Sequence, residues 1–71
     1  MTEQIRADMV ANVMSVVAET GAHIDEGDTV VILESMKMEI PVLSEYTGTL
    51  TKIAVKEGDV VQEHDLIAVV D

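Results

Sequence analysis

Cysteine, tryptophan and phenylalanine are all missing from this chain, and Tyr46 is its one aromatic residue. Without cysteine there is no disulfide to staple a fold and no thiolate chemistry. With a single aromatic ring, no pocket can sandwich a base or a flat cofactor between two aromatic faces. Basic residues are scarce too: 4 Lys and Arg stand against 14 Asp and Glu, for a formal net charge of -10. Nucleic acid and anionic membrane surfaces both call for a basic footprint, so neither is expected as a partner. No apolar run approaches the ~20 residues of a membrane span. The N-terminus lacks the basic-then-apolar pattern of a secretion signal. The expectation is a soluble, cytoplasmic protein.

What is present is apolar and β-branched. The 71 residues are 48% apolar, which sets the chain apart from acidic disordered segments despite its charge. A domain this small buries only about 60% of the surface its unfolded form exposes, so its core is thin. The apolar residues fall in short runs: Ile5 to Ala7, Val13 to Ala18, Thr29 to Leu33, Met38 to Leu43, Leu50 to Val55 and Leu66 to Val70. Turn residues at Thr20-Gly21, Glu26-Gly27-Asp28, Thr47-Gly48 and Glu57-Gly58-Asp59 separate them. Such runs read as strands. No window of helical length carries an apolar stripe, so the fold class is all-β. The continuous run Val30-Val31-Ile32-Leu33 implies a strand covered on both faces, or a bulge that shifts the alternation.

An internal repeat organises these strands. Sliding the sequence by 37 residues places Gly21 on Gly58, Glu26 on Glu63 and Asp28 on Asp65, with apolar classes kept at Val13 and Leu50, Ile24 and Val61, Val30 and Ile67. Halves of about 35 residues cannot each bury a core, so they should interlock around a pseudo-two-fold axis. Under the slide, Lys37 maps onto positions 0 and 74, just outside the chain. Symmetry alone therefore sets Lys37 at one pole and both termini at the other.

The central segment, Leu33-Glu34-Ser35-Met36-Lys37-Met38-Glu39-Ile40, reads as strand, tight turn, strand. Its tip holds no Gly, Asn or Pro, although two-residue hairpin turns need φ > 0 at their central residues. Holding Met or Lys there costs roughly 1–3 kcal/mol, and strain of this kind collects at functional sites. Taken singly, the features have ordinary explanations. A hairpin lysine is usually just solvated, methionines near turns are usually fillers, and Glu34 and Glu39 would pair only weakly with Lys37 if exposed. Their coincidence at the symmetry pole is better explained by a lysine displayed to an outside partner.

The run Glu34-Ser35-Met36-Lys37-Met38 is similar to the attachment motif of biotinyl domains, whose usual form is (E/A)-(A/S)-M-K-M. The chain as a whole resembles the biotin/lipoyl attachment family, most of all its short free-standing members. That resemblance implies one biotinyl carrier domain over residues 1–71, a flattened β-barrel or sandwich of two four-stranded antiparallel sheets with pseudo-two-fold symmetry. Lys37 would be the covalent biotin site, with Glu34, Ser35, Met36 and Met38 its recognition surroundings. A biotin protein ligase would acylate the Lys37 amine from a biotinyl-adenylate. The arm would then carry carboxylate between biotin carboxylase and carboxyltransferase sites, so the protein would be a carrier and not an enzyme. Lipoyl domains usually carry D-K-A or a relative at this turn, and the Met on each side of Lys37 favours biotin.

Chemical reasoning agrees with a substrate role for Lys37. Acylation needs a neutral amine, and the turn supplies no base, so the ligase must remove the proton. Losing that one positive charge moves the formal balance from -10 to -11. Departures from the family concern loops. Asp8 stands where many biotinyl domains have Pro, and Ala11 where they have Gly, which suggests that the backbone at Ala11 avoids φ > 0 or is strained. His64 replaces the equivalent of Gly27, and His is tolerated in the left-handed region. The protruding loop of some biotinyl domains has no room in this length. His23 and His64 lack a ligand cluster, Asp25, Glu26 and Asp28 lack calcium-loop spacing, and Ser15, Ser35 and Ser44 lie in no nucleophile elbow. No metal is expected, and the acidic loops should keep the carrier monomeric. Two rival readings stay open: a lipoyl carrier, and an unmodified β-barrel that binds partners through its Met-flanked tip.

Overall fold

The computed structural model describes residues 2–71; Met1, the first residue of the expected 1–71 unit, lies outside the described residues. The described residues form eight strands and no helix: β1 (Glu3–Arg6), β2 (Ala11–Val16), β3 (His23–Ile24), β4 (Thr29–Ser35), β5 (Met38–Leu43), β6 (Gly48–Ile53), β7 (Val60–Val61) and β8 (Leu66–Val70). They build two four-stranded antiparallel sheets, one ordered β1-β8-β6-β3 and the other β5-β4-β2-β7. This is the all-β, two-sheet arrangement expected.

The 37-residue slide carries one sheet onto the other. It takes β2 onto β6 and β3 onto β7 with matching ends, and it turns one strand order into the other. Hydrogen bonds between the sheets follow the same rule. The Val13 amide donates to Asp59 O at 2.7 Å, and its mate, Leu50 N, donates to Ala22 O at 2.9 Å. Gly21 N donates to Leu50 O, and Gly58 N donates to Val13 O. Each half therefore supplies the partners that the other half's strand edges need, which is why neither half is a folding unit by itself.

The core is made where the two inner faces meet. Leu33, Leu50, Ile67, Val13 and Val30 are fully buried within it. Val30 and Val31 are buried side by side because the β4–β5 register slips between Thr29 and Val31. An extra residue at a bulge turns two successive side chains inward, so the continuous apolar run marks a bulge.

Strand ends differ from the sequence reading at several points. The strands expected at Val13 to Ala18 and Leu50 to Val55 both begin and end two residues earlier. Ala11 and Gly48 have low strand propensity, yet Val61 and Ile24 pair with them across the sheet. β1 likewise begins at Glu3, opposite Val70, because pairing with β8 overrides the polar character of Glu3 and Gln4. β3 and β7, two residues each, are too short to show an alternating pattern.

Two loop expectations resolve differently. His64 adopts φ 76° where its mate Gly27 has φ 93°, and the mated bonds His64 N to Ala7 O and Gly27 N to Ser44 O are both 2.8 Å long. The turn survives the substitution, as expected. At Ala11 the backbone avoids φ > 0, as expected, but its mate Gly48 shows that φ is not what decides the residue at this position. Neither Ala11 nor Gly48 lies in the left-handed region. Gly48 is needed for close approach: a Cβ there would lie 2.5 Å from the Asp71 carbonyl oxygen. We predict that Gly48→Ala lowers stability by about 1–3 kcal/mol, the usual cost of overpacking. Urea unfolding would show it, and an unchanged midpoint would mean that the C-terminal backbone yields freely.

Candidate functional site

The hairpin of β4 and β5 stands at one end of the molecule. β2 starts there, with Asn12 opposite Glu34, and the chain runs on past its end until Gly21 meets Leu50 on the other sheet. Near that far end Thr49 exchanges two backbone bonds with Asp71, and Glu3 pairs with Val70, so both ends of the described residues gather there. The molecule is elongated, about 33 × 18 × 17 Å. The opposed poles expected from the repeat are present.

At the hairpin tip, Ser35 pairs with Met38 and the turn between them is formed by Met36 and Lys37 alone. Met36 has φ 53° and Lys37 φ 64°. Positive φ at both central residues is the signature of a type I′ turn, the one whose twist matches the strands it joins. An L-residue held there costs roughly 1–2 kcal/mol, so the turn keeps two non-glycine side chains against local preference. Met36 is 91% exposed and Met38 64% exposed. The Lys37 side chain is exposed as well. Among the described residues the ion pairs are His23 with Asp25 and His64 with Glu63, and Lys37 belongs to neither.

Directly behind the tip, Glu34 lies opposite Glu39, and both are exposed. Like charges facing each other across a strand pair are destabilising. The weak pairing of these two glutamates with Lys37 weighed from the sequence is absent; they form an acidic collar under a free cation. Their symmetry mates show the contrast. At the opposite pole the equivalents are Asp71 and Thr2, where the Thr2 hydroxyl donates to Asp71 Oδ1 at 3.2 Å. The terminal pole is hydrogen-bonded, whereas the hairpin pole is strained, like-charged and exposed. All five residues from Glu34 to Met38 stand out in the sequence. The facing of the two glutamates does not, because it depends on the hairpin register.

Elsewhere the chemistry is thin. A groove of about 600 Å³ lies between β1 and β5, on the pseudo-two-fold axis. Ile5, Met9, Ile40 and Tyr46 are among its walls, and Lys37 does not reach it. Among the described residues no group of three or more His, Cys, Asp or Glu is placed to hold a metal ion. No helix there is long and apolar enough to cross a membrane.

Comparison with known proteins agrees with this geometry. A biotinylated protein TB7.3 homolog of Mycolicibacterium smegmatis is 61% identical over 71 residues, covering 100% of both chains. The biotin/lipoyl attachment protein of Bacillus subtilis is 40% identical over 63 residues, covering 89% of this chain and 86% of its own. Among solved structures, the urea carboxylase of Kluyveromyces lactis contains a region that superimposes with a TM-score of 0.94 at 35% identity; it covers 100% of this chain and 6% of that one. The biotin/lipoyl family model, described as "Biotin-requiring enzyme", matches residues 3–70. This chain is therefore a member of the biotin/lipoyl attachment family.

Proposed function

We propose that the protein is a biotin carrier whose acceptor is the Nζ of Lys37, and that it is a substrate and shuttle with no catalytic activity of its own. The observation that carries this reading is the tip itself: an exposed, unpaired lysine held in left-handed backbone between two exposed methionines. The family match and the biotinylated relatives support biotin as the group attached.

The chain's contribution to the attachment is presentation. A type I′ turn projects Lys37 outward, and neither ion pair among the described residues holds its ammonium. The neutral amine attacks the acyl carbon of an activated biotin, here a biotinyl-adenylate. The C–N bond forms, the C–O bond to phosphate breaks, AMP leaves, and the amine proton passes to a base of the ligase. Met36 and Met38 give the ligase soft apolar contacts that adapt to more than one partner. Once attached, biotin would accept carboxylate at a biotin carboxylase site and give it up at a carboxyltransferase site. Urea carboxylase, which contains a region of this fold, is a precedent for such use. Tethering on a small rigid body raises the effective concentration of the arm at each site.

The experiment is intact-mass measurement of the protein recovered from its native cell. A single biotinyl increment, lost when the peptide containing Lys37 is removed, is expected. A lipoyl increment would replace this reading with the lipoyl carrier, and an unmodified mass would replace it with an interaction module.

A further inference from the structure

Pseudo-symmetry supplies an internal control for the outer faces of the two sheets. Most outward positions on the β5-β4-β2-β7 sheet have a mate on the β1-β8-β6-β3 sheet, 37 residues away. Outward on the second of these sheets, the exposed His23, Thr51, Gln4 and Arg6 surround the half-buried Val69 and Leu66. On the hairpin-bearing sheet, the mates of the exposed four are Val60, Met14, Pro41 and Leu43. Val60 is 63% exposed, Leu43 48% and Met14 43%. Ile32, half-buried, lies between Ser15 and Pro41 and joins the group into one band. At these four pairs the same fold carries a polar set on one face and an apolar set on the other, whereas Ile32 has an apolar mate, Val69, and Thr29 an apolar mate, Leu66. Backbone geometry does not demand the apolar one.

Charge separates the faces as well. Lys52 lies outward on the polar sheet, and so does Arg6, which also lines the groove it shares with Pro41 and Leu43. Apart from Lys37 at the tip, the apolar sheet has no basic side chain, and Glu34 and Glu39 border its band on the hairpin side. A second copy of the chain is a poor occupant, because the glutamates of each copy would meet a like-charged face. The complementary surface is apolar with a basic edge.

We propose that the part of this face nearer the hairpin, Met14, Ile32, Pro41 and Val60, is the docking surface for the biotin protein ligase that acylates Lys37; the proposal rests on the biotin reading above. Reach favours the ligase over enzymes that act on the finished arm. An unmodified lysine side chain extends only about 6 Å from its Cα, so the ligase must bring its body against the hairpin. A specific interface of about 800 Å² per partner is a patch roughly 30 Å across. Centred on the tip, it runs about 15 Å down the strands, the distance of some five residues. That reaches the level of Ile32 and Met14, on the sheet to which the hairpin belongs.

The test is the initial rate of biotin incorporation by a purified biotin protein ligase with biotin and ATP, measured across acceptor concentration. Met14→Arg combined with Val60→Arg should raise KM for the acceptor at least tenfold and leave kcat within twofold. Arginine adds no competing amine. The mates, Thr51→Arg combined with His23→Arg, should stay within twofold of wild type in both constants. Met14→Glu should raise KM less than Met14→Arg does, because a glutamate still suits a basic edge. Equal KM for the two doubly substituted proteins, both shown folded by circular dichroism, would overturn the proposal. So would a wild-type dimer in sedimentation that the Met14→Arg, Val60→Arg protein abolishes, since the face would then cover a second copy. Failure of the wild type to be labelled at all would be a different result and would remove the biotin reading itself.

Discussion

Lys37→Arg abolishes biotin incorporation by ligase, biotin and ATP, while the protein folds and melts as before. The argument starts from chemistry. Arginine keeps the charge and the aliphatic stem but stays protonated in proteins, so it offers no nucleophilic nitrogen. The other lysines do not substitute for it. Lys52 lies on the outer face of the opposite sheet, opposite Val69, and Lys56 precedes the turn into β7. Neither stands at a strained tip between exposed methionines. Streptavidin blotting of the variant should give no signal, and a persistent band would mean that another amine is the acceptor. A second substitution separates the turn from the nucleophile. Lys37→Gly should be equally unlabelled, yet more stable than wild type by about 1 kcal/mol, because glycine accepts the left-handed backbone that lysine adopts at φ 64°. A loss of stability in that variant would show that the tip is not strained.

The same physics explains what could be read from the sequence. The acceptor segment was legible because its residues contradict their setting: a hairpin tip without glycine, and methionines where polar residues belong. The opposed poles were legible because the repeat keeps its phase over glycine, acid and apolar classes. β3 and β7 were not, since two residues hold no periodicity and those strands exist only because β6 and β2 pair with them. The facing of Glu34 and Glu39 was hidden for a related reason: cross-strand neighbours are set by register, and register depends on which turn closes the hairpin. Gly48 shows a further limit. Its role depends on the carbonyl of Asp71, 23 residues away, and no local pattern encodes that approach.

Interlocking of the halves makes a prediction about stability that bears on the distant acceptor. Leu50→Ala should cost about 3 kcal/mol, within the 2–5 kcal/mol usual for a buried leucine. Leu50 is fully buried in the sheet opposite the hairpin, and its backbone holds the crossing through Ala22 O and Gly21 N at 2.9 and 2.7 Å. Natural domains gain roughly 0.05–0.15 kcal/mol per residue, so a 71-residue chain has about 4–11 kcal/mol in all. The substitution removes a large share of that. At about 4–8 °C per kcal/mol for domains of this size, the melting temperature should fall by roughly 12–24 °C. Because Val13 and Leu50 each hold the other half's loop, the loss should be shared by both sheets in one cooperative transition. Labelling of Lys37 should then persist below the new midpoint, and the lysine should lose its ordered turn above it, although Leu50 lies nowhere near the hairpin. Thermal unfolding followed by circular dichroism, with labelling assayed on each side of the midpoint, would check both parts. Two separate transitions, or a hairpin that stays ordered while the opposite sheet melts, would contradict the account of two halves that fold only together.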